Sequence, residues 1–94
     1  KAVLFTHVDT SSSVLNDVKA MRALLDAVGH PALLMVDCIA SLGCDRFEMD
    51  EWGADVMVAA SQKGLMTPPG MCFVFFNDKA QAVRANRSPS KKSW

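Results

Sequence analysis

Two residues in this sequence are placed to do chemistry, Asp37 and Lys63, each at or just beyond the end of an apolar run. Asp37 stands directly behind Leu33-Leu34-Met35-Val36. A carboxylate in such a place is destabilised unless it meets a cation or hydrogen-bond donors. One suitable cation is a protonated ring nitrogen, which the carboxylate would keep protonated so that the ring acts as an electron sink. The other reading is a cap on the following Cys38-Ile39-Ala40-Ser41 segment. Lys63 follows Val56-Met57-Val58-Ala59 and sits among small and polar residues, Ala60-Ser61-Gln62-Lys63-Gly64. A lysine near the buried end of a sheet tends to have a partly desolvated amine, which favours the neutral nucleophile that condenses with an aldehyde. Gly64 would let backbone approach a ligand closely. A solvated loop lysine is the alternative.

Groups so placed need strands that end at them. Residues 2–5, 33–36, 56–59 and 72–76 are apolar runs without alternation and read as buried strands. From Asp17 a helical period aligns Val18, Met21, Leu24, Leu25 and Val28. Asn16 or Asp17 caps this helix, Gly29 gives it a left-handed stop, and Pro31 prevents continuation. A second helix is predicted from Asp78 to about Ala85, and residues 7–13 read as a polar turn. Apolar runs separated by a helix predict an α/β fold with a mainly parallel sheet covered on both faces. Ligands bind such sheets at the carboxyl ends of the strands. Three strand ends here deliver residues 6–11, then Asp37, then Ser61-Gln62-Lys63. The turn Thr67-Pro68-Pro69-Gly70 is shorter than the dozen or so residues a parallel crossover needs, so the last strand is predicted to run antiparallel.

Composition narrows the function. With 94 residues the chain is at most one domain, and ten basic against ten acidic residues leave no net charge to attract nucleic acid or an anionic membrane. No apolar run reaches the roughly 18 residues of a membrane span. Residues 1–6 are too short and too soon polar for a signal peptide, and the absence of an initial Met suggests a piece of something longer. The cysteines, Cys38, Cys44 and Cys72, are odd in number and form no C-x-x-C pair, which argues against a disulfide scaffold and a metal site. They are expected to be buried thiols in a reducing cytoplasm. Arg84, Arg87, Lys91 and Lys92 read as a basic, linker-like end, giving a division into residues 1–86 and a tail at 87–94.

Three ordered blocks carry a resemblance. Val36-Asp37-Cys38-Ile39-Ala40-Ser41-Leu42-Gly43 is similar to the V-D-x-x-A-S-x-G block of class V aminotransferases, enzymes of fold type I that use pyridoxal 5'-phosphate. Ser61-Gln62-Lys63-Gly64-Leu65-Met66-Thr67-Pro68-Pro69-Gly70 is similar to their S-Q-K-x-x-x-x-P-P-G block, and residues 7–12 resemble the H-x-[DE]-[ST]-S-[ST]-G turn. Within the family the chain most resembles serine–glyoxylate aminotransferases, relatives of alanine–glyoxylate aminotransferase.

The resemblance implies that Lys63 forms the Schiff base with the cofactor and moves the proton at the substrate's α-carbon. Asp37 would then pair with the pyridinium nitrogen, the pairing such cofactors require. Thr10 and Gln62 would lie near the phenolic oxygen, or for Gln62 the phosphate, and Ile39 would pack on a ring face. His7 is given a structural role in the turn, and His30 none. The resemblance also implies amino-acid and 2-oxo-acid substrates and a homodimeric parent. Ser13 stands where the family has Gly, a position that would strain Ser if its φ were positive. The family's phosphate loop, stacking aromatic and carboxylate-binding arginine fall outside these residues. The chain therefore reads as the central part of the large domain, not expected to transaminate alone. An inactive α/β fragment with a structural or interaction role, or a cysteine desulfurase-like enzyme, is the alternative.

Overall fold

Each predicted apolar run forms a strand, and the polar stretch after the first forms two more. The structure, a computed structural model, describes residues 1–87. Along the chain lie β1 (Ala2–Thr6), β2 (Val8–Asp9), β3 (Val14–Leu15), α1 (Val18–Ala27), β4 (Leu33–Asp37), β5 (Val56–Ala60), β6 (Cys72–Phe76) and α2 (Asp78–Ala85). Apart from Arg87, the expected tail at 87–94 falls outside the described residues. Arg84 belongs to α2, where its guanidinium lies 5.9 Å from the centre of the Phe76 ring.

The main sheet has the order β1-β4-β5-β6. β1, β4 and β5 are parallel, and β6 is antiparallel to β5, as the short turn required. Register pairs Thr6 with Asp37 and Asp37 with Val58, so three strands finish side by side at one edge. Helix α1 starts where its sequence dictates: Asp17 accepts a hydrogen bond from the Ala20 N–H at 2.8 Å. Gly29, at φ 59°, closes the other end while the His30 N–H returns to the Leu25 carbonyl at 2.8 Å.

Packing corrects one expectation. Leu34, Val36 and Met57 point to the same face, and with Val18 and Leu25 of α1, Cys38 and Ala54 they form the core. On the other face, Leu4 of β1 is 79% exposed, and Val74 and Phe76 of β6 are also exposed. Among the described residues the sheet is thus well covered on one face only, because α2 lies beside β6 and buries little beyond Ala80. Leu24 and Val28, on the predicted stripe of α1, are likewise exposed. No helix among the described residues is long and apolar enough to cross a membrane.

At the edge opposite Lys63, the Gly53-Ala54-Asp55 turn buries a carboxylate. Asp55 accepts from the Leu34 N–H at 2.8 Å and the Asn77 amide at 3.0 Å, and meets Lys79 at 3.2 Å and Arg22 at 3.5 Å. This one side chain joins β4, the start of α2 and α1. Burial acts to raise its pKa, but the bonds from Asn77, the Leu34 N–H and Lys79 outweigh it and leave the carboxyl below its ordinary value. The stability it contributes is therefore complete above the unfolded carboxylate pKa, near 4, and is lost as pH falls through the lower folded value. In the full-length parent, Asp55→Asn should lower the urea midpoint by an amount that is constant above about pH 5 and shrinks below about pH 4. A gap that widened on acidification would contradict this.

Candidate cofactor site

β4 ends in Asp37 between its neighbours. The His7 N–H donates to the Asp37 carbonyl at 2.9 Å, and the Cys38 N–H to the Val58 carbonyl at 2.8 Å. The Asp37 side chain accepts from the Ile39 N–H through Oδ1 at 2.8 Å, the cap that the sequence allowed. The cap engages one oxygen, and the exposed side chain still lines the cleft described below. Capping and cation pairing are compatible.

Residues 8–15 form a hairpin, β2 paired with β3, where a simple turn was expected. Asn16 fastens it: its backbone N–H donates to the His7 carbonyl at 2.8 Å and its amide to the Thr6 carbonyl at 2.9 Å. At the tip, Asp9 accepts from the Ser11 hydroxyl at 2.6 Å and the Ser12 hydroxyl at 2.7 Å, bonds that hold its carboxyl below the usual range. Ser13 sits at φ 58°, in the left-handed region. That conformation costs a non-glycine residue about 1–2 kcal/mol, partly offset in glycine by its greater unfolded entropy. Ser13→Gly should thus stabilise the parent by roughly 0.5–1 kcal/mol, read as a higher urea midpoint. An unchanged or lower midpoint would show that Ser13 is not strained.

Lys63 rides on the loop after β5. The loop is tied at its base, where the buried Ser61 hydroxyl donates to the Pro68 carbonyl at 2.7 Å. Its flank lies on the segment after Asp37. A Cβ added at Gly64 would overlap the Leu42 carbonyl oxygen and come within 2.7 Å of Cys44 Sγ. Gly64 thus permits the approach of two backbone segments. Lys63 itself is exposed, against the expected partial desolvation, because β5 stops at Ala60 and the loop carries the amine beyond the sheet.

A cleft of about 260 Å³ opens between these three strand ends, and Thr10, Asp37, Ile39 and Lys63 line it together. Thr6, Val8, Asp9 and Ala40 complete the lining. Of the five residues expected to contact the cofactor, only Gln62 stays outside the lining; it is exposed on the lysine loop. An amine, a carboxylate and a hydroxyl from residues lining one cleft with aliphatic side chains suit a flat aromatic aldehyde with a basic ring nitrogen. Sequence reading did not find Asn16; an Asn between a strand pair and a helix cap carries no distinctive pattern.

His7 lies beneath, 2% exposed, its ring centre 5.3 Å from Phe47 and 5.7 Å from Trp52. Burial lowers its pKa and the Asp45 charge offsets part of that; the ring packs against two aromatic rings, consistent with a structural role. The thiols differ from expectation. Cys38 is buried, and burial pushes it up to about 11, whereas Cys44 and Cys72 are exposed, the first in a loop and the second at the start of edge strand β6.

A ligand cleft at the carboxyl ends of parallel strands, with an amine and a carboxylate in its wall, defines an α/β protein of small-molecule chemistry. The chain belongs to the class-V aminotransferases: the sequence model of that family, Aminotransferase class-V, matches residues 1–88. It is 50% identical to the L-aspartate–glyoxylate aminotransferase of Paracoccus denitrificans (strain Pd 1222) over 90 residues, 95% of this chain and 23% of that protein. It is 45% identical to the serine–glyoxylate aminotransferase of Methylorubrum extorquens over 88 residues, 94% of this chain and 22% of that protein. Among solved structures it superposes on the ureidoglycine–glyoxylate aminotransferase of Bacillus subtilis with a TM-score of 0.81 at 29% identity, covering 97% of this chain and 23% of that one. The chain thus spans under a quarter of the relatives it matches, and its fold is part of a fold type I aminotransferase.

Proposed function

We propose that the protein carrying this chain is a pyridoxal-phosphate-dependent aminotransferase that passes an amino group from serine, or alanine, to glyoxylate. In this reading residues 1–86 are the central part of its cofactor-binding domain. The observation that carries it is the convergence of Lys63, Asp37, Thr10 and Ile39 on one cleft. The chemistry supplied by pyridoxal phosphate when bound is an aldehyde for amines and a ring that withdraws electrons from the substrate's α-carbon. Lys63 would hold the aldehyde carbon and, once displaced by the substrate's amine, move the proton at the α-carbon. Asp37 would hold a proton at the ring nitrogen. The Thr10 hydroxyl would donate to the phenolic oxygen, Ile39 would support a ring face, and Gln62, next to Lys63 in sequence, would contact the phenolic oxygen or the phosphate.

The choice of glyoxylate rests on relatives whose names carry that acceptor at 45–50% identity. A cytoplasmic homodimer is part of the proposal, and the three free thiols suit a reducing compartment. The test is borohydride reduction of the full-length protein loaded with cofactor, followed by peptide mapping. The label is expected on Lys63. Label on Lys19 or Lys79, which pair with Glu51 and Asp55, would overturn the assignment.

A further inference from the structure

We propose that Ser61 is a positioning residue for Lys63, a role that rests on the cofactor reading above. Ser61 is 2% exposed and none of its polar groups is spare. Its hydroxyl donates to the Pro68 carbonyl at 2.7 Å, and its N–H donates to the Met71 carbonyl at 3.2 Å. Its carbonyl accepts from the Thr67 hydroxyl at 2.9 Å and the Thr67 N–H at 3.3 Å. One buried residue thus closes a loop whose two arms leave β5 and return to β6. Within the loop the Met66 N–H folds back to the Lys63 carbonyl at 2.9 Å, with Met66 held at φ 53°.

The closed loop then has one place to rest. Gly64 lies against the backbone of Leu42 and Gly43, and Gly43, at φ 81°, would put its own Cβ 3.1 Å from the Gly64 carbonyl. That second segment is itself wound from Asp37 by bonds from the Ser41 and Leu42 N–H groups to the Cys38 carbonyl, at 3.1 and 2.9 Å. Ser61 therefore fixes where the loop presents Lys63, and the Gly43–Gly64 contact refers that position to Asp37. Without the clasp an exposed lysine on an eleven-residue stretch (61–71) samples many positions relative to the carboxylate, and a catalytic amine misplaced by about 1 Å loses on the order of a hundredfold in rate.

The experiment uses the full-length enzyme loaded with pyridoxal phosphate and three variants, Ser61→Ala, Thr67→Val and Thr67→Ser. Its first readout is the pH titration of the visible absorbance of the cofactor on Lys63; the second is the division between kcat and KM. Ser61→Ala should shift the titration midpoint and lower kcat between about ten- and a hundredfold, with KM for the amino donor within about threefold. Thr67→Val should show a smaller shift of the same sign, because its N–H still bonds the Ser61 carbonyl, and Thr67→Ser should restore the parental curve. A parental titration and kcat in Ser61→Ala, with only a lowered melting temperature, would overturn the proposal. If Ser61→Ala does not fold, the Thr67 pair decides: a parental curve in Thr67→Val overturns it, and a shift that Thr67→Ser reverses supports it. Borohydride trapping on a lysine other than Lys63 in the unaltered enzyme would instead remove the cofactor reading itself.

Discussion

Replacing Lys63 with Ala in the full-length protein is expected to abolish covalent attachment of the cofactor and to lower turnover by about a thousandfold or more. Among the described residues lining the cleft, Lys63 supplies the only amine, and both the covalent link and the α-proton transfer are assigned to it. Other lysines do not replace it readily. Lys79 is held 3.2 Å from Asp55, at the opposite edge of the sheet, and Lys19 is 3.6 Å from Glu51. Because Lys63 is exposed among the described residues, the cofactor-free variant should match the melting temperature of the cofactor-free parent. The measurement is visible absorbance after gel filtration, with single-turnover kinetics. Retained absorbance with a reducible covalent link would place the chemistry on another lysine.

Asp37→Asn should have the next largest effect, a fall in kcat of about a hundredfold or more while the cofactor stays attached through Lys63. Asn keeps the shape and an oxygen to accept the Ile39 N–H, so the turn after β4 survives. What it removes is the charge that, in the proposed reading, would hold a proton on a ring nitrogen. The two variants are therefore distinguishable: one loses the link, the other keeps it and loses the rate. Turnover near that of the parent in Asp37→Asn would leave the aspartate as a cap and nothing more.

Much of this arrangement was legible because chemistry and strand ends coincide in the sequence. Unalternated runs that stop at Asp37 and just before Ser61 gave the parallel strands, and the length of the Thr67–Gly70 turn gave the antiparallel one. The helix α1 cap and its left-handed stop were visible as Asp17 and Gly29. The β2–β3 hairpin was not, since two-residue strands inside a polar stretch show no period. The Asp55 network was missed for a different reason. A carboxylate before an apolar run looks like any loop acid until its partners, 21 to 33 positions away in sequence at Leu34, Asn77, Lys79 and Arg22, are folded around it. The contact of Gly64 with the Leu42–Gly43 backbone was not legible, because sequence shows that a glycine permits close approach but not what approaches. The positive φ at Ser13 was anticipated as a condition and is met.

The two ends of β5 do separate work. Asp55 knots the framework before its first residue, and Lys63 lies just past its last, with a five-residue strand between them, about 17 Å of extended backbone. Sites so far apart with no shared partners behave additively. The protein can therefore drift or be engineered at its Asp55 end, gaining or losing heat tolerance, without altering what happens at the lysine. It can equally change at the Lys63 end while inheriting an intact frame. That division of labour along one strand would let many variants of the lysine end share a single chassis.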